Sequence, residues 1–121
     1  ALLQEKFLLK TRKKTRKEEM FTQFRELIFI HFREHKDLNF YAKELNLSTK
    51  YLSSLSKLIT GKTASEWIEE VVVLEAKALL MTPGMNVQMV ADALNFPDQS
   101  FFGKYFKRIT GMTPSQYRAS N

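Results

Sequence analysis

The sequence predicts an all-α protein, and three observations predict it. Apolar side chains recur at helical spacing in several stretches, and no stretch alternates as strongly as a strand would. Four Gly and three Pro are spread over 121 residues, so helices can run uninterrupted. One order of short helix, tight turn, longer helix and glycine stop is written twice, 49–50 residues apart.

The elements follow in order. Residues 4–17 are basic, with Lys10, Arg12, Lys13, Lys14, Arg16 and Lys17 crowded together. A solvated linker or helix face explains such a run, and so does an auxiliary contact to a nucleic-acid backbone. Residues 18–35 turn helical: Phe21, Phe24, Leu27, Ile28, Ile30, His31 and Phe32 make a broad apolar face. Glu18 and Glu19 stand at its start, where the helix dipole favours them. Asp37 and Asn39 offer a break and a cap. A short helix over residues 40–46 carries Tyr41, Ala42 and Leu45. Ser48 caps the next, which runs to about Thr60 and stops at Gly61. Residues 64–81 form a longer helix, with Trp67, Ile68, Val71, Leu74, Ala78 and Leu79 at helical spacing, ended by Thr82, Pro83 and Gly84. Asn86 caps a helix to about Leu94, and Asp98 caps one to about Ile109, closed by Gly111. Thr113 and Pro114 open the last, with Pro at its favoured first position.

The repeat sets residues 38–68 beside residues 87–118. Ala42, Leu45, Asn46 and Leu47 match Ala91, Leu94, Asn95 and Phe96, all 49 apart. Lys57, Ile59, Thr60, Gly61 and Thr63 match Lys107, Ile109, Thr110, Gly111 and Thr113, all 50 apart. The one-residue shift falls in the turn, where a length change costs least. Each repeat reads as a helix-turn-helix. The small Ala42 and Ala91 let two helices cross closely, Leu45 and Leu94 point into a small core, and Asn46 and Asn95 suit a left-handed turn residue. Four segments result: 1–17, a basic linker or fragment end; 18–63, the first unit; 64–81, a linker helix; 82–121, the second unit.

Bulk properties narrow the function. The formal net charge is +6, from 19 basic and 13 acidic residues. It splits as +4 over residues 1–37, zero over 38–81 and +2 over 82–121. Such an excess favours nucleic acid or an anionic surface as partner. No apolar run approaches the ~20 residues of a membrane span, no secretory signal is legible, and the absence of cysteine removes disulfide and thiolate chemistry. A cytoplasmic protein is expected. The chain opens on Ala, as expected of a fragment whose upstream domain is missing. His31 and His35 lie four apart, but Glu34 is not beside the first His as a zinc-protease motif requires, and no third ligand converges. With no Gly-rich phosphate loop, nucleophile elbow or matched acid/base pair, no catalytic residue, metal or cofactor is expected.

The residues of the second repeat, Ala91, Asn95-Phe96, Asp98-Gln99-Ser100, Phe102, Phe106-Lys107, Gly111, Thr113-Pro114 and Tyr117-Arg118, closely resemble the C-terminal signature of the AraC/XylS family of bacterial transcription regulators. The first repeat resembles that family's N-terminal helix-turn-helix through Ala42, Leu45, Ser48, Tyr51-Leu52, Lys57 and Gly61-Lys62. The likeness spans about residues 21–118. It implies two homeodomain-like helix-turn-helix subdomains joined by a linker helix, both second helices entering successive major-groove segments of double-stranded promoter DNA. It also implies RNA polymerase as a partner, and oligomerisation through an upstream domain. Three positions depart from the family pattern: Asn95 where Gly is frequent, Ser56 where Phe is usual, and Val73-Leu74 where Arg-Leu is common. Ser56 requires the first core to close differently.

On the first recognition helix Thr49, Lys50, Ser53, Ser54 and Lys57 share one face, opposite Leu52, Leu55 and Ile59. On the second, Gln99, Ser100, Gly103, Lys104 and Lys107 face out, with Phe102, Phe106 and Ile109 inward. The resemblance implies base reading by Lys50, Ser53, Ser54, Gln99, Ser100, Gly103 and Lys104. Gln suits adenine, Lys suits guanine, and Gly admits close backbone approach. Thr49, Lys57, Lys62, Lys107, Arg108 and Arg118 are expected to hold phosphates, which position without specifying. Tyr51 and Phe101 suit either thymine methyls and sugars or partial burial. The rival readings are a helical protein-docking module using the aromatic helix 18–35, and an RNA-binding domain, disfavoured because the periodic aromatics face inward. The second unit, with its charge and its specific motif, is expected to supply most direct readout, and the first mainly positioning.

Overall fold

Caps decide where these helices begin. The computed structural model describes residues 13–120. Among them lie seven helices and no strand: α1 Arg16–His31, α2 Leu38–Glu44, α3 Thr49–Thr60, α4 Ala64–Leu80, α5 Val87–Ala93, α6 Gln99–Thr110 and α7 Pro114–Ser120. Lys10 and Arg12 of the basic stretch, with any contact they make, fall outside the described residues.

α1 starts at Arg16, two residues earlier than expected, because Thr15 and Glu18 form a capping box. The Glu18 N–H donates to Thr15 Oγ1 at 3.1 Å, and the Thr15 N–H donates to Glu18 Oε1 at 3.2 Å. The helix stops at His31 rather than 35, and the next residues form a turn. No Gly or Pro marks that stop, so the apolar period overran it. Ile30, expected in the apolar face, is exposed, as is Phe29, which is 61% accessible. α2 starts at Leu38 with Asp37 at its N-cap. Ser48 accepts from the Tyr51 N–H, Asn86 from Met89 and Asp98 from Phe101, as their positions predict. Thr63 with Glu66 closes a second capping box ahead of α4.

The two repeats agree down to single hydrogen bonds. Asn46 and Asn95 have φ of 56° and 58°, and no other described non-glycine residue has positive φ. In each turn the chain closes with a six-residue bond, Leu47 N–H to the Ala42 carbonyl (2.9 Å) and Phe96 N–H to the Ala91 carbonyl (3.0 Å). Gly61 and Gly111 end α3 and α6 at φ of 81° and 82°.

α4 packs against all six other described helices. It therefore buries a wider stripe than a surface helix: Ala64, Ile68, Val71, Val72, Val73, Ala76 and Leu80. Leu74, expected to be inward, is 70% exposed, and Ala78 is exposed too. A helix sandwiched between two layers gives no single apolar face for a periodicity to find. Phe24, Ile28, Tyr41 and Leu52 fill the first lobe, and Val90, Leu94, Phe102 and Phe106 fill the second, as parts of one continuous core. Fully burying each such side chain contributes about 1.5–3 kcal/mol.

Candidate nucleic-acid interface

α3 and α6 each divide into a buried side and an exposed one. α3 buries Leu52, Leu55 and Ser56, and α6 buries Phe102 and Phe106. Thr49, Lys50, Ser54 and Lys57 of α3 are exposed, with Ser53 half-buried between them. On α6, Gln99, Ser100, Lys104 and Lys107 are exposed and Gly103 is half-buried. Each helix thus brings its expected readers onto one open face. Among the described residues, Lys50, Lys57, Lys104 and Lys107 have no ion-pair partner, so their charge is available to an anion. Tyr51 and Phe101, 50 apart in the repeat, are exposed at 40% and 53%. Both rings border the polar faces. Ile59 and Ile109, expected inward, lie at the margins of their cores, with Ile59 exposed and Ile109 half-buried.

The outer cations differ in how committed they are. Lys62 Nζ lies 2.5 Å from Glu70 Oε1, and Arg108 Nη2 lies 2.8 Å from Glu69 Oε2. Both partners sit on α4, and both pairs are exposed enough to be weak and exchangeable. Arg118 is different. Its Nε donates to the Leu80 carbonyl at 2.8 Å and its Nη2 donates to the Met85 carbonyl. That guanidinium satisfies carbonyls at the α4–α5 connection, where helix ends leave them orphaned.

The first core is closed without the expected aromatic. Ser56 is fully buried and its hydroxyl donates to the Lys62 carbonyl at 2.7 Å. Trp67, the counterpart of Tyr117, meets Phe21 of α1 at 5.7 Å between ring centroids. Tyr117 meets Phe106 at 5.8 Å in the other lobe. Phe21 of α1 thus supplies the ring that position 56 lacks.

His31 and His35 do not face a common ligand. The His35 ring lies flat on Phe40 at 3.7 Å and 2°, and His31 meets the same ring edge-on at 5.0 Å. Among the described residues, no three His, Cys, Asp or Glu side chains gather as metal ligands would, and no helix is long and apolar enough to cross a membrane.

Three residues that join the lobes escaped the sequence reading: Arg33, Lys36 and Asn95 in its side-chain role. Asn95 stood out only through its turn, and nothing periodic marks the other two.

A family model described as a helix-turn-helix domain matches residues 41–120. The arabinose operon regulatory protein of Salmonella typhimurium is 35% identical over 85 residues, covering 70% of this chain and 30% of that protein. Among solved structures, the C-terminal domain of AraT, a response regulator from Geobacillus stearothermophilus, superposes with a TM-score of 0.76 at 27% identity, over 88% of this chain and 89% of that one. The DNA-binding domain of AdpA, a global transcriptional factor solved with a target DNA, gives 0.66 at 25% identity, over 81% of this chain and 91% of that one. The chain spans about a third of the length of the curated relatives it matches.

Proposed function

The chain belongs to the AraC/XylS family of helix-turn-helix proteins, and from that membership we propose that it binds double-stranded promoter DNA sequence-specifically and regulates transcription. α3 and α6 enter successive major-groove segments on one DNA face. The observation that carries this is the doubled unit: two capped helices on matching turns, each with an exposed face whose lysines have no ion-pair partner among the described residues.

Lys50, Ser53 and Ser54 of α3 and Gln99, Ser100, Gly103 and Lys104 of α6 read base edges. Thr49, Lys57, Lys107, Lys62 and Arg108 hold phosphates. For the last two, a phosphate displaces an exposed glutamate pair worth at most about 1 kcal/mol, so the exchange costs little. Arg118 is the sixth phosphate contact: two of its five N–H donors hold Leu80 and Met85, and the others remain for an anion. Residues 18–63 and 82–121 act as the two reading units and 64–81 joins them. RNA polymerase is the partner at the promoter, and sensing and oligomerisation belong to other parts of the full-length protein. The protein acts in the cytoplasm, by binding rather than catalysis and without a cofactor.

Selection of bound duplexes from a random DNA pool tests this. Two short enriched blocks centred ~10 base pairs apart are expected; one contiguous block, or no enrichment, overturns it. The exposed apolar side chains Phe29, Ile30 and Leu74 favour a second reading, a docking surface for protein. Salt separates the two. A DNA reader with six or more phosphate contacts loses about 10³-fold or more in affinity between 50 and 200 mM salt.

A further inference from the structure

The lobes touch at a second place besides α4. The turn after α1 approaches the turn of the second helix-turn-helix. There the Arg33 carbonyl accepts from Asn95 Nδ2 at 3.1 Å and from Lys36 Nζ at 2.8 Å. Lys36 Nζ also donates to the Leu94 carbonyl and lies 4.7 Å from the centroid of the Phe96 ring. Arg33 reaches on to α4, with Nη2 3.0 Å from Glu75 Oε2. Three consecutive residues of the second turn, Leu94, Asn95 and Phe96, are thus gripped by two residues of the first lobe.

The chemistry of the grip is specific. An ammonium has three donors and no acceptor. Lys36 finds two carbonyls and an aromatic face, which together suit a cation leaving water. Burial pulls its pKa below the ordinary lysine value, and the nearby Glu34 carboxylate pushes it back up. Leu94 caps α5, where a carbonyl has no intrahelical donor. Asn95 shows that turn geometry alone does not account for the contact. Asn46 has the same left-handed backbone in the first repeat, yet its amide makes no inter-lobe bond among the described residues. Glycine would hold that backbone as readily. The amide adds only the bond to Arg33.

We propose that Lys36 and Asn95 are positioning residues that set the spacing between the two DNA elements the protein accepts. This rests on the DNA reading above. The packing of α5, α6 and α7 on α4 leaves the second lobe one axis to rock about, the linker helix itself. A second attachment, at the turn that leads into α6, removes that freedom. One base pair more or less moves a target by about 3.4 Å and turns it by about 34° around the duplex. A locked pair of recognition helices cannot follow that displacement, whereas a hinged pair can.

The test uses the whole chain and duplexes carrying the two selected elements at the preferred spacing, one base pair shorter and one base pair longer. Wild type is expected to lose about tenfold in affinity, or more, at either altered spacing. N95G combined with Lys36→Met should bind the preferred spacing within about threefold of wild type and lose under about threefold at the others. Binding to a duplex with only the second element should not change. N95G alone keeps the turn, so it carries the test if the double variant melts early in a circular-dichroism scan. A variant that keeps the wild-type spacing penalty overturns the inference, and so does a wild type indifferent to spacing. A wild type that binds none of the duplexes overturns the DNA reading instead.

Discussion

Ser56 is buried at a position where Phe106 stands in the other repeat, with Phe21 of α1 packed on Trp67 nearby. Restoring the aromatic by Ser56→Phe is therefore expected to destabilise the protein by about 1–3 kcal/mol, the usual cost of overpacking. Chemical denaturation measures it, and an unchanged or raised midpoint would show that the pocket has room. Two lysines of α6 separate specificity from affinity. Lys104→Ala should relax preference at one base position. Lys107→Ala should weaken binding to cognate and random DNA alike and reduce the salt slope by about one. Parallel titrations on both DNAs decide it, and equal losses for the two variants would contradict the assignment. Such pairs of positions were legible in the sequence because exposure on a two-sided helix follows from spacing alone. The fate of Arg118 was not. Whether a guanidinium meets solvent or the carbonyls of Leu80 and Met85 depends on a chain segment more than thirty residues away.

The capping box of α4 ties a helix to pH. Glu66 accepts from the Thr63 N–H, which holds its carboxyl below the usual carboxylate range. A carboxyl depressed in the folded state stabilises above its unfolded pKa, and that contribution fades as pH falls through the folded value. Thr63→Ala should cost about 1 kcal/mol near neutrality. Glu66→Gln should flatten the loss of stability on acidification below the ordinary carboxylate pKa, and melting curves over pH 3–7 read it. An acid limb identical to wild type would remove Glu66 from the account. In α6, a Cβ on Gly103 would come no closer than 4.0 Å to Pro114 Cδ. Gly103→Ala should therefore stabilise the helix by about 0.5–1 kcal/mol. If the backbone approaches DNA there, affinity falls while stability rises, and a variant that binds as wild type would take Gly103 out of the reading face.

At the scale of the whole molecule, α4 makes one body of two repeats. Because it touches every other described helix, its core residues serve both lobes. Ile68→Ala should cost about 2–5 kcal/mol. The two lobes should also unfold together: Trp67 fluorescence, which reports the first, and hydrogen exchange in α6, which reports the second, should give coincident transitions. Two separated transitions would mean that the lobes are independent.

The sequence by itself determined that these helices exist, the caps at Ser48, Asn86 and Asp98, the doubled turn and the polar faces of α3 and α6. These depend on short-range chemistry: a hydroxyl or carboxylate reaching the next turn, an asparagine tolerating positive φ, a glycine ending a helix. Only the tertiary structure decided which stripe of α4 is buried, what replaces an aromatic at Ser56, and which cations are free. It also decided that Lys36 reaches the Leu94 carbonyl and Asn95 the Arg33 carbonyl, each across about sixty residues. Each of those outcomes depends on which distant surface arrives at a given side chain, and no local period encodes that.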